Sequence, residues 1–182
     1  ELHDKNGGYY IGRYEVGVGE DSVVIQANKT PKTDINWSTA YTIAKEIGGG
    51  KGATTYLCSS YAWDTAINFI QNNGFPNYAK SREDSFNENW YDKNVKDSAG
   101  NIIKRANEAK RLETGKTTSK CNIFDMGGNV TEFTTEVMPN TSEPEVLHGG
   151  HYNNNIPAGQ RRDITTSDAS SLCGFRVTLF LK

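Results

Sequence analysis

Residues 123–133, which read IFDMGGNVTEF, are the most informative segment for the fold of this chain of 182 residues. Their glycine pair, Gly127-Gly128, precedes a segment suited to a β-strand, from Phe133 to Val137. A second pair, Gly149-Gly150, directly follows another strand-like segment, Glu145 to His148. Because glycine has no Cβ, such pairs are expected where a strand turns sharply or where two backbones approach closely. We therefore predict structural roles for both pairs.

A third strand-like segment, Gly174 to Leu181, lies further along the chain. Its residues fall into two alternating sets. The first set is Phe175, Val177, Leu179 and Leu181, and the second is Arg176, Thr178 and Phe180. Side chains of a strand point alternately to opposite faces of the sheet. The pattern predicts one continuous strand whose first set of residues faces the core.

Two amphipathic helices are predicted upstream of these strands. From Asn36 to Ile47 the apolar residues recur at helical spacing, and a run of glycines follows. Ser59 and Ser60 can cap a second helix, which the sequence Asn72-Asn73-Gly74 ends. The inner stripe of this helix is expected to comprise Trp63, Ala66, Ile67 and Ile70.

The rest of the chain is expected to be rich in loops. Tyr9 to Val16 has the composition of a strand, whereas residues 74–120 have few aliphatic side chains and are expected to form a long irregular insertion. Only 35% of the residues are apolar and 18 are glycine, which favours a scaffold that displays loops. The length is that of one domain, and we predict a single domain over residues 1–182.

Six segments, in this order, resemble the family of formylglycine-generating enzymes and sulfatase-modifying factors. They are YIGRYEV at 10–16, NWSTA at 36–40, LCSSYAWD at 57–64, IFDMGGNVTEF at 123–133, LHGGHY at 147–152 and GFRV at 174–177. The chain departs from the family pattern at Cys58, where the family has proline, and at Thr131 and Phe133, where it has tryptophan. The resemblance implies an α+β, C-type-lectin-like fold with two main helices, small antiparallel sheets and much irregular loop.

The same resemblance argues against the family's enzymatic activity in this chain. Formylglycine-generating enzymes hold copper with two thiolates between the segments that correspond here to Gly149-Gly150 and Gly174-Phe175, and soft sulfur ligands select cuprous copper. Between them this chain has a single cysteine, Cys173, which directly precedes Gly174. We therefore expect no copper and no catalysis, and we interpret Cys173 as a buried small residue. An oxidoreductase related to these enzymes remains the alternative.

A calcium site is a further implication of the resemblance. Members of the family often bind structural calcium through the turn that corresponds to residues 123–133. The matching ligands would be Asp125, Gly128, Val130 and Glu132, with carboxylates at both ends and carbonyls between them, as calcium accepts. The alternative is a salt-bridged turn without metal. Calcium would support the loops, because no redox step follows from it.

Residues 151–173 form the predicted binding region. The segment is long and polar, and loops on a rigid scaffold often carry recognition residues. The chain also resembles the variable proteins of phages and bacteria that retroelements diversify, which have this fold and vary in this interval. Their mutagenesis acts at adenines, so the asparagine codons of Asn153, Asn154 and Asn155 could be converted to codons for Tyr, Ser, Asp, His or Ile. Tyr152 and Arg161 match structural positions of the family, so they are left out of the binding set. The candidate ligand contacts are His151, Asn153, Asn154, Asn155, Ile156, Gln160, Arg162, Asp163, Thr165 and Thr166.

The charge and hydropathy of the sequence limit the classes of partner that the protein is expected to bind. Twenty basic and 22 acidic residues, without long blocks of one sign, disfavour a nucleic-acid partner. No apolar run approaches the roughly 20 residues that cross a bilayer, so direct membrane insertion is not expected. We predict a ligand- or receptor-binding module of a phage tail tip or a bacterial surface, outside the cell or on a virion, whose ligand is a cell-surface protein or glycan. Oligomers could form through a larger assembly, and a structural or assembly module is the second alternative.

Overall fold

The computed structural model describes residues 8–48, 52–139, 142, 145–165 and 167–181, and within them the chain forms two α-helices and eleven short strands. The helices are α1 (Trp37–Glu46) and α2 (Ser60–Asn72), and a 3-10 turn covers Asp84–Phe86. The strands are β1 (Tyr10–Ile11), β2 (Gly17–Val18), β3 (Val23–Val24), β4 (Ala53–Leu57), β5 (Val95–Lys96), β6 (Ile102–Lys104), β7 (Thr131–Val137), β8 (Glu145–His148), β9 (Arg161–Ile164), β10 (Cys173–Phe175) and β11 (Val177–Leu181). The α+β content predicted from sequence is confirmed.

Both predicted helices form, and their capping residues explain where they start. The Asn36 side chain accepts a hydrogen bond from the backbone N–H of Thr39, at 3.0 Å, and begins α1. The Ser59 hydroxyl does the same for the N–H of Ala62, at 3.1 Å, and begins α2. The predicted inner stripe of α2 is buried: Trp63, Ala66, Ile67 and Ile70.

The strands form two main sheets and two small hairpins. One sheet has the order β1-β11-β4 and is antiparallel. The other has the order β10-β7-β8-β9, in which β10 and β7 run parallel while the remaining pairs are antiparallel. The pairs β2-β3 and β5-β6 are the hairpins. None of the helices in the described ranges is long and apolar enough to span a membrane.

The predicted single strand from Gly174 to Leu181 is wrong in two respects. The segment breaks at Arg176 into β10 and β11, which belong to different sheets. Its faces do not divide into core and solvent, because Arg176 and Phe180 are buried whereas Leu181 is exposed. The alternation failed because residues on both faces of β11 are buried, and because Glu132 neutralises the Arg176 charge inside the protein.

Two other strand predictions also need correction. The strand predicted from Tyr9 to Val16 is reduced to β1, since Glu15 turns its carboxylate toward Asn129 and the backbone of Val130. Conversely, β9 forms inside the segment that was predicted to be loop. Its polar sequence carries no strand signal, and its pairing with β8 supplies the backbone hydrogen bonds.

Residues 74–120 are not a surface appendage. Tyr78, Phe86 and Trp90 pack in one core cluster with the inner face of α2. The buried amine of Lys104 donates hydrogen bonds to the carbonyl oxygens of Trp90 and Lys93. A few large aromatic side chains and hydrogen-bonded polar groups therefore fill this part of the core. The low aliphatic content of the segment did not indicate this contribution to the core.

Candidate functional site

The turn at residues 123–133 is held by a buried polar network. Asn129 adopts a left-handed backbone conformation, with φ of 68°, and donates from its amide to the Glu15 carboxylate at 2.7 Å. Its amide oxygen accepts hydrogen bonds from the Asn89 side chain and from the N–H of Leu112, both at 3.0 Å. A Cβ on Gly128 would lie 2.7 Å from the carbonyl oxygen of Asn89. The predicted structural role of this glycine is therefore correct.

The Glu132 carboxylate is paired with the Arg176 guanidinium. Arg176 Nη2 lies 2.7 Å from Glu132 Oε1 and Arg176 Nε lies 2.8 Å from Oε2, and neither side chain is exposed. The same guanidinium donates to the carbonyl oxygens of Gly12 and Phe124. The motifs at residues 123–133 and 174–177 thus meet in one buried ion pair.

The Asp125 carboxylate is engaged by other protein donors. It accepts a hydrogen bond from the Thr117 hydroxyl at 2.6 Å and another from the N–H of Gly115 at 3.0 Å. Burial, with a contribution from the Glu88 carboxylate, raises the pKa of Asp125 to about 6. A raised pKa opposes the ionised form that a hard cation requires.

These contacts do not fit the predicted calcium site. Both of its carboxylates, Asp125 and Glu132, already accept hydrogen bonds from the protein. The arrangement corresponds to the salt-bridged alternative, from which we expect no stabilisation by calcium, and thermal unfolding with and without the ion tests this expectation.

The three cysteines lie in separate parts of the fold. Cys58 is buried directly before the cap of α2, Cys173 is buried in β10, and Cys121 is half-buried in a turn. Burial raises the pKa of the Cys173 thiol to about 11, and it also raises the pKa of Cys58. Buried thiols with raised pKa values are poor nucleophiles and poor thiolate ligands. The expected role of Cys173 as a small buried residue agrees with its position.

A cluster that the sequence did not reveal joins Ser60, His148 and Glu136. His148 Nε2 lies 2.7 Å from the Ser60 hydroxyl and 3.4 Å from a Glu136 oxygen. In a serine–histidine–acid triad the serine and the acid contact different ring nitrogens. Here both contact Nε2, and Nδ1 has no hydrogen-bond partner among the described residues. The cluster is therefore not a hydrolytic triad, and the wide sequence separation of its members left no signal.

The backbone of the predicted binding segment is anchored to the scaffold at several points. The N–H of Tyr152 donates to the carbonyl oxygen of Asn129 at 2.9 Å, and the N–H of Tyr91 donates to the carbonyl oxygen of Asn154 at 3.0 Å. The Trp90 indole N–H donates to the carbonyl oxygen of Ile156 at 2.8 Å. With the pairing of β8 and β9, these contacts tie the segment to the scaffold along its length.

The predicted ligand contacts divide by exposure. Four are exposed: Asn153, Asn155, Gln160 and Asp163. Four are half-buried: Asn154, Ile156, Arg162 and Thr165. His151 is buried, and Thr166 lies outside the described residues. The structure therefore leaves a smaller set of side chains free to contact a partner than the sequence proposed.

His151 and Asn154 serve the segment itself. The Asn154 amide oxygen accepts hydrogen bonds from the backbone N–H groups of His151 and Ile156, at 3.0 and 3.4 Å. His151 Nδ1 accepts one from the N–H of Asn153, at 3.2 Å. Both side chains are turned inward to satisfy the backbone, so their assignment as ligand contacts is not supported by the geometry.

Tyr152 and Arg161, which match structural positions of the family, also have defined surroundings. Tyr152 is half-buried, and its ring lies edge-on to His151 with 6.2 Å between the centroids. Arg161 is exposed, and its guanidinium pairs with Asp64 on α2 and with Glu136 on β7. Arg161 therefore ties β9 to the neighbouring elements, although it does so at the surface.

Comparison with protein families shows where this architecture belongs. The model of the sulfatase-modifying factor enzyme 1-like domain matches residues 8–179, which is nearly the whole chain. The chain belongs to this family. A comparison with curated protein sequences found no significant match.

Solved structures share the fold of this sulfatase-modifying factor-like domain at low sequence identity. PvdO from Pseudomonas aeruginosa has a TM-score of 0.64 at 16% identity, over 95% of this chain and 80% of PvdO. Treponema denticola variable protein 1 has a TM-score of 0.65 at 15% identity, over 93% of this chain and 84% of that protein. CarF has a TM-score of 0.56 at 15% identity, over 82% of this chain and 67% of CarF. The C-type-lectin-like fold of the formylglycine-generating-enzyme type is thereby confirmed.

Proposed function

We propose that this sulfatase-modifying factor-like domain is a non-catalytic module that binds a protein or glycan ligand through the surface of residues 153–163. The observation that carries the proposal is the contrast between an anchored backbone and exposed side chains in this segment, although Asn155 also accepts a hydrogen bond from the N–H of Asp92 and Gln160 donates one to the carbonyl oxygen of Arg161. Its backbone is anchored by Asn129, Tyr91 and the Trp90 indole, while four polar side chains point outward. Binding surfaces of this kind lose little conformational entropy when a partner docks.

The exposed side chains have the chemistry of an adaptable recognition surface. Asn153, Asn155 and Gln160 carry amides that both donate and accept hydrogen bonds, and Asp163 adds a negative charge. No hydrogen bond from the Asn153 or Asp163 side chain to other described residues competes with a ligand. Asn and similar polar side chains supply the adaptable contacts of antibody paratopes.

The alternative of a copper-dependent oxidoreductase is less well supported. Cys58 and Cys173 are buried in different elements, and burial raises the pKa of both thiols. The interval that holds the thiolates in the enzymes has here become β9 and its flanking loops. Copper-dependent oxidation of a cysteine-containing peptide by the purified chain would overturn the proposal.

The location and the possible diversification of the module belong to the same proposal. A place on a bacterial surface or a phage tail tip suits a binding surface of fixed shape and changeable side chains. The fold similarity to a Treponema denticola protein named as variable supports this interpretation. The test is the encoding DNA, where a near-repeat of the codons for residues 151–173, differing at adenines and beside a reverse transcriptase gene, is expected. Absence of the repeat would favour a fixed ligand.

The binding surface is tested with a quadruple variant that keeps the fold. The purified domain is applied to arrays of bacterial surface proteins and glycans, and its hits are measured again with the variant in which Asn153, Asn155, Gln160 and Asp163 are all replaced by alanine. Loss of binding is expected. The matched control replaces the same residue types at exposed positions elsewhere, Asn68, Asn72, Gln26 and Asp21, and should retain binding. Equal binding by both variants would instead favour a structural or assembly module.

A further inference from the structure

A second surface, separate from residues 151–171, forms a cleft rich in aromatic side chains. The cleft has a volume of about 770 Å³ and lies between β4, β11, α1 and the start of α2. Its aromatic walls are Tyr9, Trp37, Tyr41, Tyr56, Tyr61 and Phe180. The proposed binding surface contributes no residue to this lining. The volume falls in the range that small-molecule sites occupy in proteins.

The aromatic rings of the cleft are held in place before any ligand arrives. The Trp37 indole N–H donates to the carbonyl oxygen of Thr134 at 2.7 Å, and the Trp37 and Tyr41 rings stack with 5.1 Å between their centroids. On the other wall, the Tyr9 and Tyr56 rings contact Phe180 at 6.1 and 6.0 Å. A ligand would therefore meet fixed apolar faces, which reduces the entropy lost on binding.

Tyr61 stands apart because almost nothing in the protein covers it. Its side chain is 88% exposed, although it lies in the first turn of α2 beside a well-filled core. Burying an aromatic ring releases a large apolar area from water. An exposed ring at the mouth of a cleft is therefore a favourable place for a ligand to dock.

Several phenol hydroxyls of the cleft also lack a protein partner among the described residues. The phenol groups of Tyr41, Tyr56 and Tyr61 make no hydrogen bond within the described part of the chain. The Thr135 hydroxyl likewise makes no hydrogen bond in this part of the chain, whereas the Ser59 hydroxyl accepts from the N–H of Ala62 and the Thr65 hydroxyl donates to the carbonyl oxygen of Tyr61. A hydroxyl can both donate and accept, so these groups can pair with either kind of partner.

Charge is the remaining property that selects the ligand. Among the described residues that line the cleft, none is Asp, Glu, Lys, Arg or His. The lining itself offers no counter-charge to a ligand that loses its hydration, and the nearby Lys45 amine lies over the Tyr41 ring, 5.4 Å from its centroid. The cleft therefore favours an uncharged ligand that has both apolar faces and many hydroxyl groups.

We infer that this cleft binds an uncharged saccharide. The flat C–H faces of neutral pyranose rings match the aromatic walls, and the sugar hydroxyls match the unpaired phenol groups and the Thr135 hydroxyl. An apolar peptide would cover the same rings, but it offers hydrogen-bonding groups only along its backbone, whereas a saccharide carries hydroxyls around each ring. Because the cleft and the surface of residues 153–163 are different surfaces, the inference goes beyond the proposed function.

Tryptophan fluorescence gives a direct measurement of this site. Trp37 lines the cleft, whereas Trp63 and Trp90 are buried in the core. Titration with cellotriose, chitotriose and maltotriose should change the emission saturably for at least one of the three sugars. Tyr61→Ala should weaken that affinity by about tenfold, as expected for the loss of one aromatic contact face. Tyr61→Phe should weaken it less, because the ring remains.

The controls separate this inference from the proposed function. Tyr10 is an exposed tyrosine outside the cleft, so Tyr10→Ala should bind the sugar like the parent protein. The quadruple variant of the proposed binding surface should also bind it normally. The inference is overturned if none of the three sugars binds, if Tyr61→Ala binds as tightly as Tyr10→Ala, or if an uncharged aromatic peptide binds while the sugars do not. Each of these results leaves array binding through residues 153–163 unaffected.

Discussion

Glu132 and Arg176 form a fully buried ion pair that joins β7 to the junction of β10 and β11. Each side chain comes from a different motif of the family, and the guanidinium also binds the carbonyl oxygens of Gly12 and Phe124. Three separated parts of the chain thus converge on one charged group. The pair explains why an arginine occupies a buried position in a segment of apolar residues.

Removing one partner of this pair should be strongly destabilising. Arg176→Leu leaves the Glu132 carboxylate buried without a counter-charge, which typically costs about 3–5 kcal/mol of unfolding free energy. Urea unfolding of the variant and the parent protein measures the difference. Arg161→Ala removes surface ion pairs instead and should cost less than about 1 kcal/mol. Similar losses in the two variants would contradict the structural role of Arg176.

Neighbouring asparagines of the binding segment should differ in their effect on stability. Asn154→Ala removes the acceptor of two backbone N–H groups and should cost about 1–2 kcal/mol. Asn153→Ala removes an exposed side chain and should change the unfolding free energy very little. Chemical denaturation of both variants provides the measurement. If diversification occurs, functional variants should therefore tolerate changes at 153 more readily than at 154.

His151 should make stability depend on pH. Burial, with a smaller contribution from Arg162, lowers the pKa of His151 to about 4, against about 6.5 when the chain is unfolded. The unfolded state therefore binds the proton more readily, so the stabilisation is complete above pH 6.5 and is lost as the pH falls toward 4. The difference of about 2.5 pKa units corresponds to about 3 kcal/mol.

The matched measurement compares the parent protein with His151→Gln. Unfolding free energies of both proteins are determined from pH 7 to pH 4. The parent protein should lose about 3 kcal/mol more than the variant over this range. Parallel pH profiles would show that His151 is not buried as a neutral side chain.

Calcium should not stabilise this fold. The Asp125 and Glu132 carboxylates are occupied by Thr117 and Arg176, so a calcium ion would have to displace protein donors. Thermal unfolding in millimolar calcium and in excess chelator should therefore give the same midpoint. A higher midpoint in calcium would mean that the turn at residues 123–133 rearranges to bind the ion, as its sequence suggested.

One thiol should react readily in the native protein. Cys58 and Cys173 are buried, and burial raises the pKa of both, whereas Cys121 is half-buried. An aromatic disulfide reagent should label about one thiol per chain before denaturation and all three afterwards. Cys121→Ser should abolish the native reaction, and rapid labelling that survives this substitution would point to an accessible second thiol.

The local patterns of the sequence determined the elements that depend on local forces. The capping side chains of Asn36 and Ser59, and the apolar stripe of α2, act within a few residues, so both helices were predicted close to their observed ends. The ordered motifs also identified the fold through their resemblance to the family, whose model matches residues 8–179.

Tertiary structure alone decided which polar residues face inward. The burial of Arg176 depends on Glu132, and the formation of β9 depends on its pairing with β8, contacts between residues far apart in the chain. Likewise, the sequence selected residues 151–171 as polar, but only folding separated exposed Asn153 from Asn154, whose amide binds the backbone. The physical reason is that hydrogen bonds and charge pairs are satisfied through space, and composition does not specify which partners will meet.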